Sequence, residues 1–88
     1  MFLWRLIFSP KAAKQLKALD RLVQQRIKEK LDYFCSLPNP QIYAEVLVDF
    51  DHGTYRYRIG DYRVIVDFDE RWKLIIVAII WHRKEIYK

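Results

Sequence analysis

The sequence predicts an α+β domain in which a helical hairpin covers one face of an antiparallel sheet, with elements in the order β-α-α-β-β-β. Three observations carry this prediction. An alternating apolar segment opens the chain, two stretches with helical spacing follow, and from His52 onward the residues read almost wholly as strand. Residues 1–88 are read as a single domain, because 88 residues support one hydrophobic core and no more.

In the opening segment Phe2, Trp4, Leu6 and Phe8 share one face and Leu3, Arg5 and Ile7 the other, which predicts a strand covered on at least one side. Ser9-Pro10 stops it and starts a helix, with a hydroxyl cap followed by proline at the first helical position. Ala12, Leu16 and Leu19 continue at i, i+4 and i+7, so this helix ends near Leu19. Asp20 is placed to cap a second helix, whose stripe is Val23, Ile27, Leu31 and Phe34, with Arg26, Lys28, Glu29 and Lys30 facing outward. Pro38 and Pro40 break the hairpin. The stretch from Asn39 to Asp51 has no single reading, although Val46, Leu47, Val48 and Phe50 are expected to pack on the core. Strands over Thr54–Ile59, Tyr62–Phe68 and Trp72–Arg83, joined by turns at Gly60-Asp61 and Asp69-Glu70, form a meander. The second face of the sheet is then free for function.

Composition limits the function. With 52% hydrophobic and 16% aromatic residues the chain is no disordered segment. Cys35 is the only cysteine, so no intrachain disulfide forms, and Arg5, Pro10 and Lys11 interrupt the apolar start in a way no signal peptide does. A cytoplasmic location is expected. The longest apolar run, Leu74–Trp81, is far short of the roughly 20 residues of a membrane-spanning helix. A net charge of +5 favours a polyanionic partner such as RNA, or an acidic protein. Gly53 and Gly60 are the only glycines and both fall in turns, so there is no phosphate-cradling loop, and no serine or cysteine nucleophile motif is present. His52, His82 and Cys35 lack a ligand spacing, so neither metal nor cofactor is expected.

The chemistry concentrates in Tyr55-Arg56-Tyr57-Arg58. Strand alternation sends both arginines to one face and both tyrosines to the other. Arg63 lies across the turn and Arg83 near the end of the last strand, so four arginines are expected to converge on the free face. The competing reading is a solvated face, or pairing with Asp61, Asp67, Asp69 and Glu70. Arginine suits a phosphate because its planar fork donates two hydrogen bonds at once, stays charged, and stabilises charge building on phosphoryl oxygens. It is a poor base, so a proton acceptor must come from His82 or Tyr87, with Glu85 between them. A tyrosine base needs its pKa lowered from about 10 toward 7, roughly 4 kcal/mol of preferential anion stabilisation, which nearby guanidinium groups could supply. Of His82 and Arg83, neighbours on one strand, Arg83 is taken as the member facing the cluster.

The run Tyr55-Arg56-Tyr57-Arg58-Ile59-Gly60-Asp61-Tyr62-Arg63-Val64-Ile65, followed by His82-Arg83-Lys84-Glu85-Ile86-Tyr87, resembles the RelE/ParE toxin superfamily. The resemblance extends to Phe8-Ser9, Ala13 and Leu16-Lys17-x-Leu19, and so spans nearly the whole chain. It implies a RelE-like microbial ribonuclease fold and a toxin of a type II toxin–antitoxin pair. RelE-like members cut messenger RNA in the ribosomal A site through attack by the 2′-hydroxyl; ParE-like members poison DNA gyrase. By motif, Arg56 and Arg58 match the paired basic residues of the second strand, Arg63 the phosphate-binding arginine, Arg83 the arginine ending the last strand and Tyr87 the terminal tyrosine, with Lys84 a further RNA contact. Many relatives carry lysine where Arg56 and Arg58 stand, which leaves Tyr87 or His82 as the base. The expected partners are a cognate antitoxin, the ribosome and its messenger RNA, with gyrase as the alternative target. Because the sequence stops at Lys88, no further C-terminal helix is expected, and an antitoxin segment is expected to pack there or over the sheet.

Overall fold

The computed structural model describes residues 2–47 and 55–86. Its elements are β1 (Arg5–Phe8), α1 (Pro10–Lys17), α2 (Arg21–Cys35), a 3₁₀ turn (Pro40–Tyr43), β2 (Glu45–Val46), β3 (Tyr55–Ile59), β4 (Tyr62–Asp69), β5 (Leu74–His82) and α3 (Arg83–Ile86). The strands lie in the order β1-β5-β4-β3-β2. Strands β2 to β5 pair antiparallel with their neighbours, while β1 runs parallel to β5. The α+β class and the helical hairpin on one face hold as predicted. The sheet is mixed rather than wholly antiparallel, and it has a fifth strand.

Ser9 joins two layers with one side chain. Its hydroxyl accepts the Ala12 N–H at 3.0 Å as the cap of α1 and donates to the Ala78 carbonyl at 2.8 Å. Ala78 is the extra residue of a bulge in β5, since Ile65 opposes Ile79 while Val66 opposes Val77. Gln15 of α1 accepts the Ile80 N–H nearby at 2.8 Å, so α1 satisfies backbone groups around the bulge. Asp20 occupies the N-cap of α2, but its side chain makes no capping bond among the described residues.

Between the layers lie Trp4, Ala12, Ile27, Leu31, Phe34, Tyr57, Val64, Val66, Ile75, Val77 and Ile80. Tyr57 is wholly buried, and its hydroxyl donates to the Pro40 carbonyl at 2.5 Å, which meets the demand of a buried phenol. Burial, with a smaller contribution from Cys35, pushes that phenol far above its ordinary range. Cys35 is buried at the end of α2, and desolvation, followed by the Asp32 carboxylate, pushes its thiol up to about 11. The Cys35 carbonyl accepts the N–H groups of Leu3 and Trp4 at 3.0 and 2.9 Å, docking the chain start on α2.

Several boundaries differ from expectation. The first strand begins at Arg5, and Phe2 is exposed although its alternation partners Trp4, Leu6 and Phe8 face the core. The ambiguous stretch supplies the 3₁₀ turn and β2, where Val46 is exposed and not in the core. Val48, Phe50 and Thr54 lie outside the described residues. The last hairpin turns over Glu70–Lys73, with Asp69 accepting the Trp72 N–H at 3.0 Å and Lys73 in the left-handed region, so β5 starts at Leu74. It stops at His82, and a helical turn (Arg83–Ile86) follows, where the strand was expected to run through Arg83.

Candidate functional site

Alternation along β3 does what the sequence predicts. Tyr55 and Tyr57 pack toward the helices, and Arg56 and Arg58 stand on the other face. In register, Arg58 opposes Arg63, and Arg56 opposes Ile65, so three arginines share one surface. Gly60, at φ +57°, supplies the left-handed residue that lets two residues reverse the chain between β3 and β4.

These arginines are held in different ways. Glu45, the cross-strand partner of Arg56, bridges two of them: its carboxylate meets Arg56 at 3.0 Å and Arg58 at 2.5 Å. The hydrogen bond from Arg56 is the main cause holding the Glu45 carboxyl below its usual range. Arg63 is buried, at 8% exposure, and donates to the carbonyls of Gly60 and Tyr62 at 3.1 and 3.0 Å. The Nε atoms of Arg56 and Arg63 are both buried with no hydrogen-bond partner among the described residues. An unmet buried donor costs about 1 to 3 kcal/mol, more when charged, so the pair marks a surface short of acceptors.

Arg83 departs from the expected convergence. It opens α3 instead of ending the strand, and it addresses the β3–β4 turn: its N–H donates to the Asp61 carbonyl at 2.7 Å and its Nε lies 3.5 Å from the Asp61 carboxylate. Arg63 and Arg83 therefore hold the same turn from two sides. His82 is also corrected as a candidate base on this face. It opposes Tyr62, whose ring packs toward the core, and meets that ring edge-on at 5.2 Å, so alternation turns it away from Arg63. Its Nδ1 accepts the Lys84 N–H at 3.2 Å, and the Lys84 side chain is exposed. Tyr87 lies outside the described residues, as do the surroundings of the Glu85 side chain.

The face is not open throughout. Ile65 and Ile79 oppose each other on it and are wholly buried, so access is greatest at Arg58 and Arg83. Glu45 was missed by sequence reasoning, which offered only Asp61, Asp67, Asp69 and Glu70 as partners. A strand of two residues is too short to show alternation, so no signal marked it. Among the described residues no three His, Cys, Asp or Glu side chains gather as a metal site requires, and no helix is long and apolar enough to cross a membrane.

Comparison with known proteins agrees with this fold. A chain of the RelBE2 toxin–antitoxin complex of Mycobacterium tuberculosis superposes with a TM-score of 0.81 at 22% identity, covering 94% of each chain. A chain of the archaeal RelE–RelB complex of Pyrococcus horikoshii OT3 gives 0.72 at 26% identity, covering 92% of this chain and 96% of that one. A chain of the intact Escherichia coli RelBE complex gives 0.71 at 18% identity, covering 90% and 95%. No curated protein sequence matches. The sequence profile of the ParE toxin of the type II toxin–antitoxin system parDE matches residues 6–87, nearly the whole chain. This chain thus belongs to the ParE toxin family of type II toxin–antitoxin systems, within the RelE/ParE superfamily.

Proposed function

We propose that this toxin is a metal-independent endoribonuclease that enters the ribosomal A site and cleaves messenger RNA, and that a cognate antitoxin neutralises it in the cytoplasm. The observation that carries the reading is Arg63, a buried cation whose Nε has no partner among the described residues, set opposite Arg58 on a face with Arg56. A phosphate offers the acceptors this face lacks. In the reaction the RNA 2′-hydroxyl gives its proton to a base and attacks phosphorus, and the 5′-oxygen leaves with a proton, yielding a 2′,3′-cyclic phosphate and a 5′-hydroxyl. Arg63, with Arg56 and Arg58, holds the phosphate and stabilises its developing charge. Glu45 must yield Arg56 and Arg58 to the incoming phosphate. Arg83, beside the same turn, is the leaving-group acid or a further stabiliser. Tyr87 is the general base, with Lys84 an added contact to the RNA backbone.

The deciding experiment maps RNA ends on translating ribosomes after brief induction. Cuts bearing 5′-hydroxyl ends at A-site codons are expected. A second reading, a ParE-like gyrase inhibitor acting by binding alone, is favoured by the ParE profile match. Intact messenger RNA together with gyrase supercoiling blocked by the purified protein would replace the first reading with the second. Antitoxin complexes are known for the structural relatives, and the partner here is expected to be acidic where it covers the arginines.

A further inference from the structure

At the edge of the sheet near β2, Lys30, Tyr33 and Phe34 of α2, Tyr43 of the 3₁₀ turn and Arg58 of β3 line a groove of about 410 Å³. That is the size of a small-ligand cleft. A column of rings rises into it from the core. Tyr57 stacks on Phe34 at 4.0 Å and 12°, and Phe34 on Tyr43 at 5.8 Å and 29°. The inner end is fixed, because the Tyr57 hydroxyl holds the carbonyl of Pro40, the first residue of the turn that carries Tyr43. The outer end is open: Tyr43 is 56% exposed, and Tyr33, its ring 6.3 Å away, is 46% exposed. The Lys30 ammonium lies 5.6 Å from the Tyr33 centroid and 5.8 Å from that of Phe34.

We infer that this groove is a base-stacking subsite for single-stranded RNA, in which one unpaired nucleobase extends the ring column at Tyr43 and Tyr33 while adjoining phosphates meet Lys30 and Arg58. Flat exposed rings flanked by cations match a nucleobase, which stacks on an aromatic face, and its backbone, which the cations meet. Arg58 belongs both to this groove and to the arginine face, so one strand of RNA passes from one to the other around β3. The inference rests on the arginine face being a phosphate surface and extends it by one nucleotide.

The test uses a short single-stranded RNA carrying 2-aminopurine, read by anisotropy and by fluorescence, with an abasic RNA as control. Binding to the wild-type chain should quench the fluorophore. Tyr43→Ala should weaken binding roughly tenfold and abolish the quenching, as loss of one base stack does. Tyr43→Trp should retain both, and the abasic RNA should bind the wild type no better than intact RNA binds Tyr43→Ala. Thermal melts confirm the fold, since Tyr43 is largely exposed. Weaker binding by Arg63→Ala with unchanged binding by Tyr43→Ala overturns the subsite and leaves the arginine reading standing. Tyr43→Ala losing affinity for an acidic peptide but not for RNA gives the groove to a protein partner and likewise overturns it. No RNA binding by the wild type overturns the subsite, while the mapping of RNA ends on ribosomes decides the arginine reading separately.

Discussion

The two faces of β3 are built from alternating tyrosine and arginine, and they resolve their polar groups in opposite ways. Tyr57 enters the core, where one hydroxyl needs one acceptor and Pro40 provides it. Arg63 and Arg56 enter the other face, where each guanidinium brings five donors and each Nε stays unmatched among the described residues. Among the described residues, the buried side-chain polar atoms left without a partner are the two arginine Nε atoms, both on the arginine side. Stability should therefore respond to the first face, and the proposed RNA cleavage to the second.

Tyr57→Ala tests the closed face and should show the largest effect, a loss of about 3 to 5 kcal/mol in urea unfolding, because a fully buried ring and its stack on Phe34 both go. A mild loss would mean that the ring column does not hold the 3₁₀ turn. Arg63→Ala tests the open face: single-turnover cleavage on programmed ribosomes should fall about 10²- to 10³-fold, with stability changed by about 1 kcal/mol. Unfolding of that variant, with cleavage lost only as a result, would erase the division between faces.

Two pH responses sharpen the contrast. The folded Cys35 thiol, at about 11, is raised above the roughly 8.5 of an unfolded chain, so its contribution is intact below that value. Stability should drop by about 2 kcal/mol between about pH 8.5 and 10, and Cys35→Ala should flatten that stretch, whereas above about pH 10 the raised Tyr57 phenol adds its own loss in both proteins. A wild-type curve already flat over this range would mean that the thiol is not shielded. The Glu45 carboxyl is shifted the other way, by Arg56 first, so its contribution is present above about pH 4.3 and lost as pH falls through its lower folded value. This is the smallest effect, since Glu45 is exposed. Protection of the Arg56 amide, corrected for the intrinsic pH dependence of exchange, that falls on acidification in the wild type and not in Glu45→Gln is the expected signature.

Local pattern made much of this legible. Ser9 before Pro10 marked a helix start that the structure closes with a side-chain cap, and Tyr55 to Arg58 showed both faces of β3 from alternation alone. What the sequence hid depends on distant partners. Nothing in residues 5–8 reveals that they lie parallel to residues 74–77, and the bulge at Ala78 exists because two strands differ in count. His82 and Arg83 shifted for the same reason, since the strand gives way to a helical turn between them.

The position of β5 bears on how the toxin is made. It lies between β1 and β4, so Phe8 has no strand partner on that side until Val77, far later in the chain, has been synthesised. The β3–β4 hairpin is synthesised earlier, but a two-stranded ribbon is at best marginal by itself. Closure therefore comes late, after non-local pairing across almost the whole chain. Arg83, which follows β5 directly, meets Asp61 only then. The ribosome that builds this protein has read its message through the last strand before the arginine corner exists to act on anything.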